Sequence, residues 1–259
     1  MIKLETTLID DYQIFDLTHE FSSNSLPFMG YPSPEIKWIK RQTSDGVYAQ
    51  LITTPLHVGT HIDAPSHWLG PSAKDMASIP LSRLVGPAAI ADLSDIADDW
   101  FIIKPKHILE RVEVREGDIL IIKTGYYKYY KIDEARYMCM HPGPDREFAE
   151  WCLKMNFRWI GIDCASADHP MNTRAIPTFR PDLVKKFEEK IGKKLEDIFP
   201  REQVHPMHSL LFPQDIIHAE NIGGEIDKLG SIRCIVGAFP WKFVNGEASI
   251  CRIVAFVKR

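Results

Sequence analysis

The chain has 259 residues, of which 45% are hydrophobic and 25% charged, and 31 basic against 35 acidic side chains leave a formal net charge of -4. This composition excludes disordered and fibrous proteins, and it predicts a single globular domain over residues 1–259 with a sizeable core. Neither a basic block nor an acidic tail is present, so we expect a small-molecule partner and no nucleic acid.

Cysteine usage and hydropathy bear on the location of the protein. The five cysteines are odd in number and form no C-x-x-C pair, which argues against a disulfide framework and against a cysteine zinc site. The N-terminal stretch MIKLETTLIDDY lacks the apolar run of a signal peptide, and no later segment approaches the roughly 20 apolar residues of a membrane span. We therefore expect a cytoplasmic protein without membrane association.

The predicted elements begin with residues 26–34, LPFMGYPSP, whose prolines and glycine among aromatics indicate an ordered irregular loop. Helical spacing marks residues 145–155 and 180–191, and the second helix has Pro181 in its first turn and Gly192 after its end. Apolar runs bounded by turn residues predict six strands, at residues 48–53, 88–92, 118–124, 159–163, 232–238 and 248–257. This mixture indicates an α/β or α+β class.

Residues 56–68, LHVGTHIDAPSHW, hold three histidines and an aspartate that share one parity, so in an extended chain they would lie on one face. At roughly 3.3 Å per residue, however, His57 and His67 would stand about 33 Å apart, which is too far for one site. We therefore predict a bend at Gly59, because glycine tolerates backbone conformations closed to other residues. Such a bend would bring His57 back toward His61.

Two histidines and a carboxylate then form a predicted set of metal ligands. Asp63 lies two residues after His61, about 6.6 Å along a strand, so both side chains can meet one ion. Together with His57, they suit Zn, Mn or Fe(II) and leave positions open for water or substrate. Pro65 lacks a strand donor and should end the strand, so that His67 is aimed separately. The alternative, a set of unrelated solvated histidines, fits this spacing poorly.

The same run resembles a known family. The pattern H-x-G-T-H-x-D-x-P-x-H, from His57 to His67, matches the signature of the cyclase family of metal-dependent hydrolases, which includes bacterial kynurenine formamidase and isatin hydrolase. Similarity continues in FDLTHEF at residues 15–21, GDILIIKTGY at 117–126 and GIDCAS at 161–166. The resemblance implies an α/β fold with a central barrel-like mixed β-sheet and helices outside it.

A late segment, HSLLFPQDIIHAENI, resembles the family element in which a histidine precedes a glutamate by twelve residues. The resemblance implies that Asp63 bridges to a second metal, that His208 and Glu220 complete the shell of that metal, and that His67 is the catalytic acid/base. Taken by themselves, the residues leave three choices for the late histidine, which are His205, His208 and His218.

The expected activity follows from the resemblance and from metal chemistry. We expect one or two divalent ions per subunit, Zn or Mn, and hydrolysis of an amide, cyclic imide or lactone C–N or C–O bond by metal-activated hydroxide. His67 would carry the proton to the leaving group. Two alternatives stay open: a metal-dependent lyase or cyclase that stabilises an enolate, and a non-catalytic module that binds a carboxylate through its metal.

The chain departs from the compact kynurenine formamidases in two places. Residues 170–205 form a longer segment, and Cys164 stands where those enzymes commonly have threonine. Because no dedicated base accompanies Cys164, we interpret it as a buried structural thiol.

Aromatic residues in loops are candidates for a substrate pocket. These residues are Phe28, Tyr31, Trp38, Trp68 and the tyrosine-rich run at 126–130, with a role in the core or an interface as the alternative. In the family, the N-terminal loop of one subunit often closes the site of its neighbour. The resemblance therefore assigns this role to residues 26–34 and implies a homodimer or homotetramer.

Overall fold

The computed structural model describes residues 11–259, so most of the N-terminal stretch on which the signal-peptide argument rests lies outside the described residues. The strands, in chain order, are β1 (Tyr12–Asp16), β2 (Glu35–Lys40), β3 (Ala49–Thr53), β4 (His61–Asp63), β5 (Val85–Asp92), β6 (Ile102–Ile103), β7 (Ile119–Lys123), β8 (Gly143–Pro144), β9 (Trp159–Ile162), β10 (Ile217–Glu220), β11 (Ile232–Pro240) and β12 (Ala248–Lys258).

The α-helices are short apart from two. They are α1 (Gln42–Asp45), α2 (Ser66–Leu69), α3 (Leu81–Leu84), α4 (Pro105–Leu109), α5 (Glu134–Cys139), α6 (Arg146–Met155), α7 (Ala175–Phe179), α8 (Pro181–Ile191), α9 (Leu195–Ile198) and α10 (Pro206–Leu211). Single 3₁₀ turns lie at Met76–Ser78, Tyr126–Tyr129, Pro170–Asn172, Arg201–Gln203, Phe212–Gln214 and Gly224–Lys228. In the part of the chain described, no helix has the length and apolar character needed to cross a bilayer.

Seven strands close a barrel. β12, β11, β5, β7, β9, β10 and β4 are neighbours in this order, and β4 pairs back onto β12. The strands from β5 to β10 in this order run parallel, the remaining pairs are antiparallel, and β1 is added outside the ring as an antiparallel partner of β12. This closed mixed sheet, with helices around it, confirms the expected fold.

The alternation of side chains along each strand separates the interior of the barrel from its outer layer. On β7, Ile119 and Ile121 join one apolar cluster that draws residues from all seven barrel strands, and this cluster fills the interior. Leu120 and Ile122 point the other way and pack against α6 and α10. Strands buried on both faces therefore appear in the sequence as continuous apolar runs.

Both predicted helices form. α6 begins after Asp145, whose carboxylate accepts a hydrogen bond from the Phe148 N–H. α8 has Pro181 in its first turn and ends at Gly192, which adopts the left-handed conformation at φ 73°. Five of the six predicted strands coincide with β5, β7, β9, β11 and β12.

The sixth predicted strand forms outside the barrel. β3 pairs with β2 in an antiparallel hairpin, and neither strand joins the barrel. The Trp38 and Tyr48 side chains pack edge to face, with ring centroids 5.2 Å apart, yet remain 51% and 65% exposed. We call residues 35–53 the hairpin arm.

The segment at 170–205 contains α7, α8 and α9 and builds a small core of its own. Ile176, Leu183, Phe187 and Phe199 are buried there and pack against Trp100 from the body of the protein. A cavity of about 800 Å³ opens between these helices.

Candidate metal centre

The histidine motif bends at Gly59 and then enters a strand. Gly59 has φ 58°, as predicted, and the turn brings His57 Nδ1 to 3.2 Å from His61 Nε2. On β4, His61 and Asp63 share one face while Ile62 points into the barrel. Asp63 Oδ1 lies 3.1 Å from His57 Nδ1 and 3.5 Å from His61 Nε2. The fold therefore brings the first three candidate ligands together, and all three are buried.

Strand β10 supplies a second group. Its antiparallel register places His218 opposite Asp63 and Glu220 opposite His61, so these four side chains share the outer face of the barrel. His218 Nε2 lies 3.2 Å from Asp63 Oδ2, and Glu220 Oε2 lies 3.5 Å from His61 Nε2. His208 approaches from α10, with its ring centroid 4.4 Å from that of His218.

Asp63 belongs to both groups. One ligand atom from each of Asp63, His208, His218 and Glu220 lies within 4.8 Å of the others, and the same holds for His57, His61 and Asp63. Neither oxygen of the buried Asp63 carboxylate has a partner in hydrogen-bond geometry among the described residues. Such atoms are costly to bury unless a cation or a hydrogen bond compensates them. Imidazole and carboxylate donors fit Zn, Mn or Fe(II), so this residue set fits one or two divalent ions.

Three of the candidate histidines have the nitrogen that faces away from the cluster hydrogen-bonded to an acceptor. Such a bond fixes the tautomer and turns the other nitrogen toward the site. The pairs are His61 Nδ1 with the Gly59 carbonyl at 2.9 Å, His208 Nδ1 with Asp168 Oδ2 at 2.5 Å, and His57 Nε2 with Glu247 Oε2 at 2.6 Å. Sequence reasoning missed Asp168 and Glu247, because neither lies in a motif near the histidines.

The late histidines separate in space. His208 and His218 both lie in the cluster around Asp63. His205 lies outside that cluster but next to it, in a further group with Asp168 and His208. Its Nδ1 lies 3.6 Å from Asp168 Oδ2, and its Nε2 accepts a hydrogen bond from the Arg174 N–H at 3.0 Å. Sequence reasoning left His218 as one of three choices for a single late histidine and did not predict that it lies at the site together with His208, although alternation along β10 puts His218 and Glu220 on one face.

Burial and neighbouring charges determine the protonation of the metal-free cluster. Burial alone would lower the pKa of His57, but the carboxylates of Asp63 and Glu247 outweigh it and raise that pKa to about 11. Burial lowers the pKa of His61 to about 4. Burial and the charge of Asp63 raise the pKa of Glu220 to about 7. At neutral pH the metal-free site therefore carries a proton on His57, which a bound cation would replace.

His67 stands at the edge of the cluster. β4 ends before Pro65, as predicted, and the next helix, α2, carries His67. Its Nδ1 lies 3.0 Å from Glu247 Oε2, and its ring centroid lies 4.2 Å from that of His57. The side chain is 25% exposed, so it can reach a molecule that enters from solvent.

A cavity of about 100 Å³ opens onto the cluster. The aromatic residues Phe28, Tyr31 and Trp68 line it together with His67. The ring of Tyr31 lies 5.9 Å from that of His57, and the Phe28 N–H donates to the His57 carbonyl at 2.9 Å. The fold thus places these three aromatics at the site.

Other aromatic candidates for the pocket lie away from this cavity, in agreement with the alternative of a role in the core or an interface. Trp38 is on the hairpin arm, away from the cavity. Within the run at 126–130, Tyr126 donates to the Met140 carbonyl at 3.1 Å, and Tyr130 stacks on His19 at 3.8 Å. These tyrosines are held in the protein body by their own hydrogen bonds and packing.

The loop at 26–34 lines the site of its own chain, and its closure of a neighbouring site stays a prediction. The Gly59 N–H donates to the Leu26 carbonyl at 3.0 Å, and Pro27 forms a β-bridge with Val58. These backbone contacts hold the loop against the histidine motif that precedes β4.

Cys164 is buried outside the cavity. Its Sγ lies 3.3 Å from Thr124 Oγ1, and burial raises the pKa of the thiol well above its usual range. The adjacent Asp163 accepts hydrogen bonds from the N–H groups of Thr124 and Gly125. This environment agrees with the interpretation of Cys164 as a structural thiol.

Comparisons with known proteins agree with this architecture. The sequence profile of the Cyclase family matches residues 15–169. The isatin hydrolase of Roseibium aggregatum is 25% identical over 265 residues, which cover 95% of this chain and 87% of that protein. The kynurenine formamidase of Bacillus thuringiensis is 29% identical over 136 residues. That match covers 52% of this chain and 60% of the formamidase, less than two thirds of its length.

A solved structure resembles the whole described fold. Isatin hydrolase A from Labrenzia aggregata, bound to benzyl benzoate, superposes with a TM-score of 0.75 at 22% sequence identity. The superposition covers 96% of this chain and 95% of that chain. At this identity the likeness shows the fold.

Proposed function

This chain belongs to the Cyclase family, and from this premise we propose that it is a metal-dependent hydrolase that cleaves an amide, cyclic imide or lactone bond. One arrangement carries the proposal. The buried Asp63 directs one oxygen to His57 and His61 and the other to the group on β10, next to an aromatic cavity. Two relatives of the chain are named isatin hydrolase and kynurenine formamidase.

We assign the cofactor, one or two divalent ions such as Zn or Mn, to two ligand groups that share Asp63. The first group is His57, His61 and Asp63, and the second is Asp63, His208 and Glu220. A divalent ion lowers the pKa of bound water from 15.7 toward about 7 and polarises a substrate carbonyl.

His67 is the proposed acid/base. Glu247 accepts a hydrogen bond from its Nδ1, which leaves Nε2 unprotonated and able to accept a proton in the neutral ring. His67 lines the cavity beside His57, so a proton taken there from water can be delivered to the leaving nitrogen or oxygen.

The cavity wall suits a planar substrate, because Phe28, Tyr31 and Trp68 offer aromatic surface beside the polar cluster. The cavity volume of about 100 Å³ is smaller than the roughly 300 to 1,000 Å³ of ordinary ligand sites. We expect Tyr31, which is 45% exposed, to move outward when a ring-bearing substrate binds.

We also propose that the protein forms a homodimer or homotetramer, in which the hairpin arm packs on a second copy. A two-stranded hairpin alone is marginally stable in water, and this arm exposes both Trp38 and Leu51 by about half. The arm directly follows the loop at 26–34, which lines the cavity. Packing of the arm on a second copy would therefore also stabilise this loop.

The function can be tested by measuring bound metal and then turnover. The panel contains N-formylkynurenine, isatin, cyclic imides and lactones, each assayed with and without a chelator. The proposal predicts hydrolysis of at least one class, loss of turnover on chelation, and recovery with Zn or Mn. Full metal occupancy without any hydrolysis would instead favour a lyase, a cyclase or a carboxylate-binding module.

A further inference from the structure

We propose that His218 binds the second metal ion directly, as a fourth protein ligand beside Asp63, His208 and Glu220. The proposal deepens the proposed function and rests on it. It adds to the site a residue that belongs neither to the histidine motif nor to the histidine–glutamate pair spaced by twelve residues.

The first support is the position of His218 on the sheet. Ile217 and Ala219 point into the barrel, so His218 and Glu220 point outward together. His218 Nε2 lies 3.2 Å from Asp63 Oδ2 and 3.7 Å from Glu220 Oε1. The Nε2 of His218 therefore faces the carboxylates of Asp63 and Glu220, which are two of the proposed ligands of the second ion.

The second support is the lack of hydrogen bonds to the ring. His218 is fully buried, and neither of its nitrogens has a hydrogen-bond partner among the described residues. A purely structural buried histidine would be expected to make at least one well-aligned hydrogen bond, whereas the Nε2 of His218 only faces the Asp63 carboxylate at 3.2 Å. Phe212 stacks on the ring at 4.6 Å and holds it in place by packing.

The number of protein ligands differs between the two groups that share Asp63. Four protein ligands complete the shell of a structural zinc site, whereas three leave a position open for water. With His218 counted, a zinc ion in the second group would have four protein ligands, and the group of His57, His61 and Asp63 would be the one that leaves a position for water. That group is also the one beside His67.

The test compares His218→Leu with His107→Asn. Leucine fills a similar volume without a donor atom, and His107 lies on α4, outside the groups of described residues that could hold a metal ion. Metal equivalents and affinities are measured by elemental analysis and chelator competition. We expect His218→Leu to lose one equivalent, or to bind the second ion at least tenfold more weakly, while His107→Asn keeps the wild-type content.

Thermal unfolding gives a second measurement that does not depend on activity. The Tm of metal-free His218→Leu gives the baseline, because the substitution also removes the contact of the ring with the buried Asp63 carboxylate. Added Zn should raise the Tm of this variant less than that of the wild type. His218→Gln serves as a second variant if the leucine variant does not fold.

The outcomes are distinct. Wild-type metal content, affinity and metal-induced Tm shift in the variant that folds would overturn the role of His218 and leave the proposed function intact. If the wild type holds a single ion, weaker binding of that ion in the variant supports the role, and unchanged binding overturns it. A wild type that binds no divalent ion overturns the proposed function itself.

Discussion

Glu247 Oε2 accepts a hydrogen bond from His67 Nδ1 at 3.0 Å, across 180 residues of sequence. The same oxygen lies 2.6 Å from His57 Nε2. One carboxylate thus joins a proposed metal ligand to the proposed acid/base. A change at Glu247 should therefore affect both metal binding and proton transfer.

Glu247→Gln keeps the shape of the side chain but removes its charge. We expect kcat to fall about 10- to 100-fold, because an uncharged amide oxygen orients the two rings more weakly than the carboxylate that they share. Metal affinity should weaken in the same variant, since His57 is one of the two rings. Steady-state kinetics and metal titration check this, with the exposed Glu116→Gln as control. Wild-type kcat and metal affinity in Glu247→Gln would contradict the assigned role.

His67→Ala should keep its metal and lose most turnover. A positioned acid/base typically contributes 10² to 10⁴ in rate, so kcat should fall by about that factor. Elemental analysis of the same preparation shows whether the two ligand groups still bind metal. If the metal content collapsed together with the activity, His67 would have to be reassigned as a ligand.

Metal affinity should rise with pH. The pKa of His57 in the metal-free protein is about 11, so at neutral pH the metal must displace its proton, and affinity should increase about tenfold per pH unit. Below about pH 7, Glu220 is also protonated, and the dependence should steepen toward two protons. Chelator competition between pH 6 and 9 measures the slope, and a flat profile would speak against this site.

Cys164→Ala should leave kcat within about twofold of the wild type. Because burial raises the pKa of the thiol, little thiolate forms, and the folded protein should not be alkylated at this position. Mass spectrometry after iodoacetamide treatment tests this, with unfolded protein, in which all five cysteines react, as the control. A large loss of turnover at full metal content would indicate a chemical role.

Replacing Trp38 and Tyr48 by serine should shift the protein toward a monomer, because both side chains are exposed on the hairpin arm. Light scattering after size-exclusion chromatography measures the change. Phe179→Ser, at a position that is 71% exposed outside the arm, is the matched control. A monomeric wild type, or an oligomer that survives the double substitution, would refute the proposed contact.

The sequence by itself determined the features that depend on near neighbours along the chain. Apolar runs predicted five of the seven barrel strands, and helical spacing predicted α6 and α8. The motif spacing required the bend that Gly59 makes. The likeness to a family then indicated the closed mixed sheet and the candidates His208 and Glu220. Each of these inferences uses local geometry or a pattern spanning a few residues.

Only the tertiary structure decided which distant residues meet the motif. Closing the barrel pairs β4 with both β10 and β12, which brings His218 opposite Asp63 and places Glu247, just before β12, beside His57. The tertiary structure also places Trp38 on the hairpin arm, away from the cavity. Such contacts join residues more than a hundred positions apart, and their energy depends on strand register and burial. The local sequence around each of these residues does not indicate which distant residue it contacts.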